Sequence, residues 1–268
     1  MQLSPQDHAQ AARDLLDAER TGVQIGLMSR RWPEMDMDDC YAIQSQIMAG
    51  KRAEGRQVIG WKIGLTSRAM QTALGIDIPD SGVLFDDMRF ADGATVPPGR
   101  FIQPRIEAEI AFVMKAPLNG EDVTRADVLA ATDYVAPSLE ILDTRIRRAD
   151  PKTGHSRTIV DTISDNAANA GVVLGPERHD PAQVDLRWVG AIVMRNQEVE
   201  ETGLGAGVLN DPVESVVWLA RRMAQYGQRI EAGQVILSGS FVRMVECPPG
   251  SEIVADFGPF GQVGVAFG

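Results

Sequence analysis

Gln103-Pro104-Arg105-Ile106-Glu107-Ala108-Glu109-Ile110-Ala111-Phe112-Val113 decides how this chain is read. The apolar run from Ile110 to Val113, with turn formers on both sides, makes the stretch a β-strand. Side chains alternate along a strand, so Glu107 and Glu109 share one face while Ile106, Ala108 and Ile110 share the other. Two carboxylates side by side repel each other and are costly to bury. A hard divalent cation relieves both problems, and carboxylate oxygens suit Mg²⁺ or Mn²⁺. Glu140, in the apolar run Pro137-Ser138-Leu139-Glu140-Ile141-Leu142, is a third carboxylate of the same kind. The three glutamates read either as an open metal site or as an exposed acidic face with an unrelated Glu beside it.

Outward from that strand the chain divides in two. Residues 1–57 read as a helical N-terminal region. Ser4 caps a helix with Pro5 at its first position, and Asp36 caps a second in which Cys40, Ile43 and Ile47 share a face. This region reads as packing or a dimer contact, with a lid over a site as the other possibility. Residues 58–268 read as a catalytic domain of short strands and turns. Val58 to Ser67 is a strand and turn leading to a short helix over 67–74, and Pro79-Asp80 with Gly82 is turn chemistry. Asp92-Gly93 marks a hairpin, Thr124 caps a short helix, and Asp185 to Met194 pairs with Glu198 to Thr202 around Asn196. Asp211-Pro212-Val213-Glu214 is a capping box opening a helix that stops near Gly227. No βαβ rhythm is present, which points to an α+β fold with a curled, mixed sheet.

The bulk numbers narrow the function classes. The formal net charge of −11 argues against nucleic acid or an anionic membrane as partner. The two cysteines, Cys40 and Cys247, are far apart in sequence and fit a reducing cytoplasm. No secretory leader and no apolar run of the ~20 residues that span a bilayer is visible. Three histidines are too few and scattered for a His-based metal site or a Ser-His-Asp triad.

Other candidates stand beside the glutamates. Lys62, between Trp61 and Ile63, reads as a lysine with a lowered pKa or a fixed anionic partner, or as an edge-strand lysine. Asp80 reads as closing its turn. Arg145, Arg147, Arg148 and Arg157 make a basic cluster in an acidic chain, to meet an anionic tail or to face solvent. Asp161 to Gly171, with Ser164, Asp165 and Asn166, suits a tight turn near a ligand or a plain helix start. Ser240 lies in a small-residue turn ending a strand.

Gly60-Trp61-Lys62-Ile63-Gly64-Leu65-Thr66-Ser67, Pro79-Asp80-Ser81-Gly82, Pro104 to Glu109, Asp161 to Gly171 and Gly239-Ser240-Phe241 together resemble the 2-hydroxy-dienoate hydratases of aromatic meta-cleavage pathways. These enzymes lie within the fumarylacetoacetate hydrolase-like superfamily. The resemblance runs nearly end to end, and the last two of these stretches together with the 150–157 loop favour the branch that acts on a seven-carbon dienedioate. It implies a mixed β-roll and homo-oligomers built from dimers. It also implies a Mg²⁺ or Mn²⁺ site from Glu107, Glu109 and Glu140, with Lys62 and Asp80 as acid/base residues. Ser164, Asp165, Asn166, Ser240 and Arg157 become candidates for binding a small-molecule dicarboxylate. Two positions depart from the family pattern: Ser81, where Phe or Tyr is common, and Trp61, where Tyr or His is common. Rival expectations are a 4-oxalocrotonate-type decarboxylase, a hydratase of 2-hydroxypenta-2,4-dienoate, an acylpyruvate C–C hydrolase and a non-enzymatic partner. The hydrolase is disfavoured because no H-x-x-E pair is visible.

Overall fold

A computed structural model describes residues 1–68, 71–72 and 78–268. The helix expected over 67–74 runs into residues outside that set. The N-terminal region holds α1 (Pro5–Thr21), α2 (Met28–Arg31) and α3 (Met37–Ala53). Ser4 and Asp36 cap α1 and α3 through reciprocal bonds with Asp7 and Asp39. Next come β1 (Val58–Gly64), β2 (Asp80–Phe85), β3 (Arg89–Phe90), β4 (Thr95–Val96), β5 (Arg105–Met114), α4 (Arg125–Ala131) and β6 (Thr132–Leu142). Then follow α5 (Ile159–Ser164), β7 (Asn169–Leu174), β8 (Gly190–Arg195), β9 (Glu198–Leu204) and α6 (Pro212–Gln225). The chain closes with β10 (Val235–Ser240), β11 (Val245–Glu246), β12 (Glu252–Asp256) and β13 (Gln262–Phe267).

The strands form two sheets. The larger runs β2-β1-β10-β5-β6-β7-β3, with β11 also on β5; the smaller runs β4-β13-β12-β8-β9. Parallel and antiparallel pairs mix in both: β1 runs parallel to β10 and β4 to β13, while β5 and β6 are antiparallel. This is the α+β arrangement anticipated from the absence of βαβ units. The main core lies behind the large sheet. Ile106, Ala108, Ile110 and Phe112 of β5 and Leu139 and Ile141 of β6 meet Ile253, Ala255, Val263 and Val265 of the small sheet, with Val213, Val216 and Ala220 of α6. Fully burying each larger side chain contributes about 1.5–3 kcal/mol. A second cluster joins α1 and α3 to α5 through Leu15, Ile43, Ile47 and Ile163. The N-terminal helices are thus packed, not detached.

Several local expectations are corrected. Asp80 and Gly82 lie within the buried strand β2, paired with Gly64 and Lys62 of β1, not in a turn. Gly82 is there for space: a Cβ would sit 2.5 Å from the carbonyl oxygen of Asn166. Asp92-Gly93 does turn the chain, but β3 and β4 belong to different sheets and form no hairpin. Asp211 caps α6 one way, accepting from Val213 N–H at 3.0 Å, with no reciprocal bond from Glu214. The hairpin arm before Asn196 begins at Gly190, because Leu186 to Trp188 is a 3₁₀ turn.

Strand β2 ends the large sheet, and side chains satisfy its outer rim. Asn166 accepts from Val83 N–H at 2.8 Å and donates back to the Val83 carbonyl at 2.9 Å. Gln44 of α3 donates to the Ser81 carbonyl at 2.9 Å.

Candidate active site

The front face of the large sheet, opposite the main core, carries the polar candidates. On β5, Glu107 and Glu109 point forward, and the register sets Glu140 of β6 directly opposite Glu107. Like charges facing each other across a ladder are destabilising. Even so, one carboxylate oxygen from each of the three lies within 4.8 Å of the others, with Glu109 and Glu140 fully buried and Glu107 half-buried. The alternative of an exposed acidic face is thereby excluded.

Glu109 is oriented by the Gly239 N–H, which donates to its Oε2 at 2.7 Å. Gly239 has φ +108°, and a Cβ there would strike Thr66 Oγ1 at 2.3 Å, so the position takes only glycine. Among the described residues, Glu109 Oε1 and both oxygens of Glu140 are buried and accept no hydrogen bond. Orphaned buried acceptors of this kind call for an explanation. A hard divalent cation supplies one, and the all-oxygen donor set matches Mg²⁺ or Mn²⁺. Burial first, then the Glu140 carboxylate, pushes Glu107 up to about 8. Burial likewise raises Glu109, helped by Glu140 and Glu107, and raises Glu140 against the pull of Lys62.

Lys62 of β1 reaches the same cluster, Nζ to Glu140 Oε1 at 3.5 Å, and is buried. Burial alone would lower its pKa, but the carboxylates of Glu140, Asp80, Glu107 and Glu109 outweigh it and raise it above the usual lysine range. Of the three sequence readings, the fixed anionic partner is the one realised. Asp80 starts β2 beside it, also buried, and among the described residues its Oδ1 accepts no hydrogen bond. Burial raises its carboxyl, opposed by Lys62 and by the Gly64 N–H. Between the two lies Gly64: a Cβ would fall 2.2 Å from Asp80 Oδ1 and 2.9 Å from Lys62 Nζ. Four strands therefore bring five ionisable groups to one buried face, an arrangement suited to holding a cation and moving protons next to it.

The chain is 48% identical over 260 residues to 2-oxo-hept-4-ene-1,7-dioate hydratase of Escherichia coli, which covers 97% of each sequence. It belongs to the 2-hydroxy-dienoate hydratase family. A 2-keto-4-pentenoate hydratase of Paraburkholderia xenovorans (strain LB400) is 42% identical over 99% of this chain and 96% of its own. Among solved structures, 4-oxalocrotonate decarboxylase from Pseudomonas putida G7, complexed with magnesium and adipate, superposes with a TM-score of 0.92 at 35% identity, over 99% of this chain and 98% of that one. The fold is the fumarylacetoacetate hydrolase-like one. No family model matches the chain. Among the described residues, no helix is long and apolar enough to cross a membrane.

The other residues singled out in this family member hold structural bonds. Ser164 Oγ donates to the Val160 carbonyl at 2.7 Å, inside α5. Asp165 pairs with Arg145, accepting from its Nε at 2.5 Å and its backbone N–H at 2.9 Å. Asn166, Ala167 and Ala168 form a left-handed turn with φ of 49°, 52° and 59°. Such backbone costs of order 1–3 kcal/mol per residue and clusters at functional sites. The turn lays the Asn166 carbonyl over Gly82, beside the Lys62 stem. Ser240 faces Glu109 in register and donates to the Val242 carbonyl at 2.8 Å. Arg157 donates through Nη1 to Thr144 Oγ1. Sequence reasoning missed Gly64, Gly82 and Gly239. Their signal was a glycine inside an apolar strand, which marks close approach.

Proposed function

We propose that this family member is a divalent-metal-dependent hydro-lyase that adds water to 2-hydroxyhepta-2,4-diene-1,7-dioate, the dienol form of 2-oxo-hept-4-ene-1,7-dioate. The product is 4-hydroxy-2-oxoheptane-1,7-dioate, a step of homoprotocatechuate (4-hydroxyphenylacetate) meta-cleavage in the cytoplasm. The observation that carries the reading is the convergence of Lys62, Asp80, Glu107, Glu109 and Glu140 on one buried face. The two hydratase relatives and the magnesium and adipate of the decarboxylase structure support it.

Glu107, Glu109 and Glu140 would hold Mg²⁺ or Mn²⁺. When bound, such a cation supplies Lewis-acid stabilisation to the substrate's C1 carboxylate and C2 oxygen as negative charge develops there. Lys62 and Asp80 manage the protons. The C2 hydroxyl gives up its proton, and C5 gains one, leaving a 2-oxo-3-ene. Water then adds its oxygen to C4, and C3 takes a proton. Lys62 enters as an ammonium, and Asp80 brings a buried carboxylate from the neighbouring strand. General acid–base help of this kind contributes ~10²–10⁴ in rate. The Ser164-Asp165-Asn166 turn shapes the wall over Lys62, Ser240 flanks Glu109, and Arg157 attracts the substrate's second carboxylate. Homo-oligomers built from dimers fit the exposed Trp188, Ile192, Val199 and Leu204 on and beside the small sheet.

Decarboxylation is the second reading, favoured by the TM-score of 0.92 to the decarboxylase. Incubation of purified protein with Mg²⁺ and the dienoate separates the two. Loss of the dienoate absorbance, a mass gain of one water and no CO₂ are expected. Stoichiometric CO₂ without a hydrated product assigns the chain to decarboxylation.

A further inference from the structure

Beyond the glutamates, the front face turns basic. Arg105 lies two residues before Glu107 on β5, so it leaves the sheet on the same side, about 6–7 Å along the strand. Its register partner on β11 is Glu246, which accepts from Arg105 Nη2 at 2.6 Å. The Glu246 side chain is 68% exposed, and a bond so open to water holds the guanidinium only weakly. Arg157 reaches Thr144, two residues past the end of β6, where Leu142 pairs with Arg105. The Arg157 N–H donates to the Arg148 carbonyl at 2.8 Å, closing the loop between them.

Arg148 completes the group. It is half-buried, and among the described residues its guanidinium makes no hydrogen bond and no ion pair. The anions nearest it are Glu246, which is exposed and pairs with Arg105, and Asp143, which accepts from the Ile102 and Gln103 N–H groups at 2.9 and 2.8 Å. Burial, then the neighbouring guanidinium groups of Arg105 and Arg157, bring Arg148 down to about 10, so it stays charged at neutral pH in a place that disfavours charge. A cluster of half-buried cations in a chain of net charge −11 is stabilised when an anion completes it.

We propose that Arg148, flanked by Arg105 and Arg157, is the subsite for the far carboxylate of a dianionic substrate, and that it sets the preference for diacids over monoacids. The inference rests on the hydratase reading for the near end of that substrate. A carboxylate there receives the planar fork of a guanidinium that makes no ion pair among the described residues, the geometry that favours bidentate recognition. The spacing from Glu107 to Arg105 suits a short chain with one carboxylate at each end.

The test compares wild type, Arg148→Gln and Arg148→Lys with Mg²⁺ on 2-hydroxyhepta-2,4-diene-1,7-dioate and 2-hydroxypenta-2,4-dienoate. The diacid-to-monoacid ratio of kcat/KM is expected to fall about 10- to 100-fold in Arg148→Gln, mostly through KM, and to recover partly in Arg148→Lys. An unmoved ratio overturns the subsite, whatever happens to absolute rates. Wild-type protein that hydrates neither compound sinks the hydratase reading alone. In that case calorimetry with heptanedioate and heptanoate still decides. Selective loss of heptanedioate affinity in Arg148→Gln supports the subsite, and equal affinities in both proteins overturn it.

Discussion

Lys62 and Glu140 meet at 3.5 Å, Nζ to Oε1, although strands β10 and β5 lie between their own. The ladder aligns Lys62 with Leu237, Leu237 with Ala111, and Ala111 with Ala136, four residues short of Glu140. Three strand spacings on a flat sheet span about 14 Å. The contact therefore depends on the curl of the sheet and on two long side chains leaning toward each other. The pair ties the three-glutamate cluster to the Lys62–Asp80 end of the same face.

Metal binding should be visible as stability. A cation at 100 times its Kd stabilises the fold by about 2.7 kcal/mol, roughly 5–10 °C for a chain of this size. Glu107→Gln, Glu109→Gln and Glu140→Gln should each remove most of the Mg²⁺-induced rise in Tm. The metal-free Tm should hold steady or increase, because each change deletes a carboxylate whose charge is opposed by burial. Differential scanning fluorimetry with and without Mg²⁺ reads both quantities, and undiminished shifts in all three variants would discard the site.

Lys62→Met and Asp80→Asn should separate chemistry from metal binding. Turnover of the dienoate is expected to drop ~10²–10⁴-fold in each. The metal-induced Tm rise should survive in both, and metal affinity in Lys62→Met should not weaken, since that change removes a competing cation from Glu140. Wild-type rates in either variant would remove that residue from the proton-transfer pair.

Gly64→Ala tests the gap between that pair. The new methyl group would lie 2.2 Å from Asp80 Oδ1, forcing the carboxylate away from Lys62. A displacement of about 1 Å in a catalytic group costs on the order of 10²-fold. Steady-state kinetics should show kcat falling that far while circular dichroism retains the wild-type spectrum. Unchanged kcat would mean the pair tolerates separation.

Asp39 gives a stability prediction with a defined sign. Burial pushes its carboxyl up, but hydrogen bonds from the Gln2 N–H at 2.9 Å, the His8 ring at 2.8 Å, and the Asp36 and Leu3 N–H groups outweigh it and hold it well below the usual range. A folded pKa below the unfolded value near 3.9 contributes stability that is present above that pH and lost as pH falls through the folded value. Asp39→Asn should therefore destabilise at pH 7 by about 1.5–3 kcal/mol. The gap from wild type should narrow below about pH 4. Urea melts at pH 7 and pH 3 check it, and an equal gap at both would contradict it.

What the sequence disclosed follows from the range of the interactions. Strands β5 and β6 are apolar runs, and alternation alone puts Glu107 and Glu109 together. Ser4 and Asp36 announce their helices through local bonds. The placement of Glu140 opposite Glu107 is a register between distant segments, which no local pattern encodes. Asp80 misled for a different reason: Pro79, Asp80 and Gly82 have turn composition, yet Gly82 is small to admit the Asn166 backbone. The three-residue left-handed turn at Asn166 was also hidden, because alanine at two of its positions gives no hint of positive φ.

The amide caps on β2 bear on how the chain survives its own synthesis. An end strand normally offers unpaired N–H and C=O groups as a template for aggregation. Here Asn166 and Gln44 stand where another strand would dock, so the sheet cannot be extended past Val83 and Ser81. The seal is assembled from three distant pieces: α3, β2 and the turn before β7. A nascent chain that has made β2 but not yet Asn166 leaves the Val83 N–H and C=O groups of that rim bare, and they are sealed only when the left-handed turn arrives.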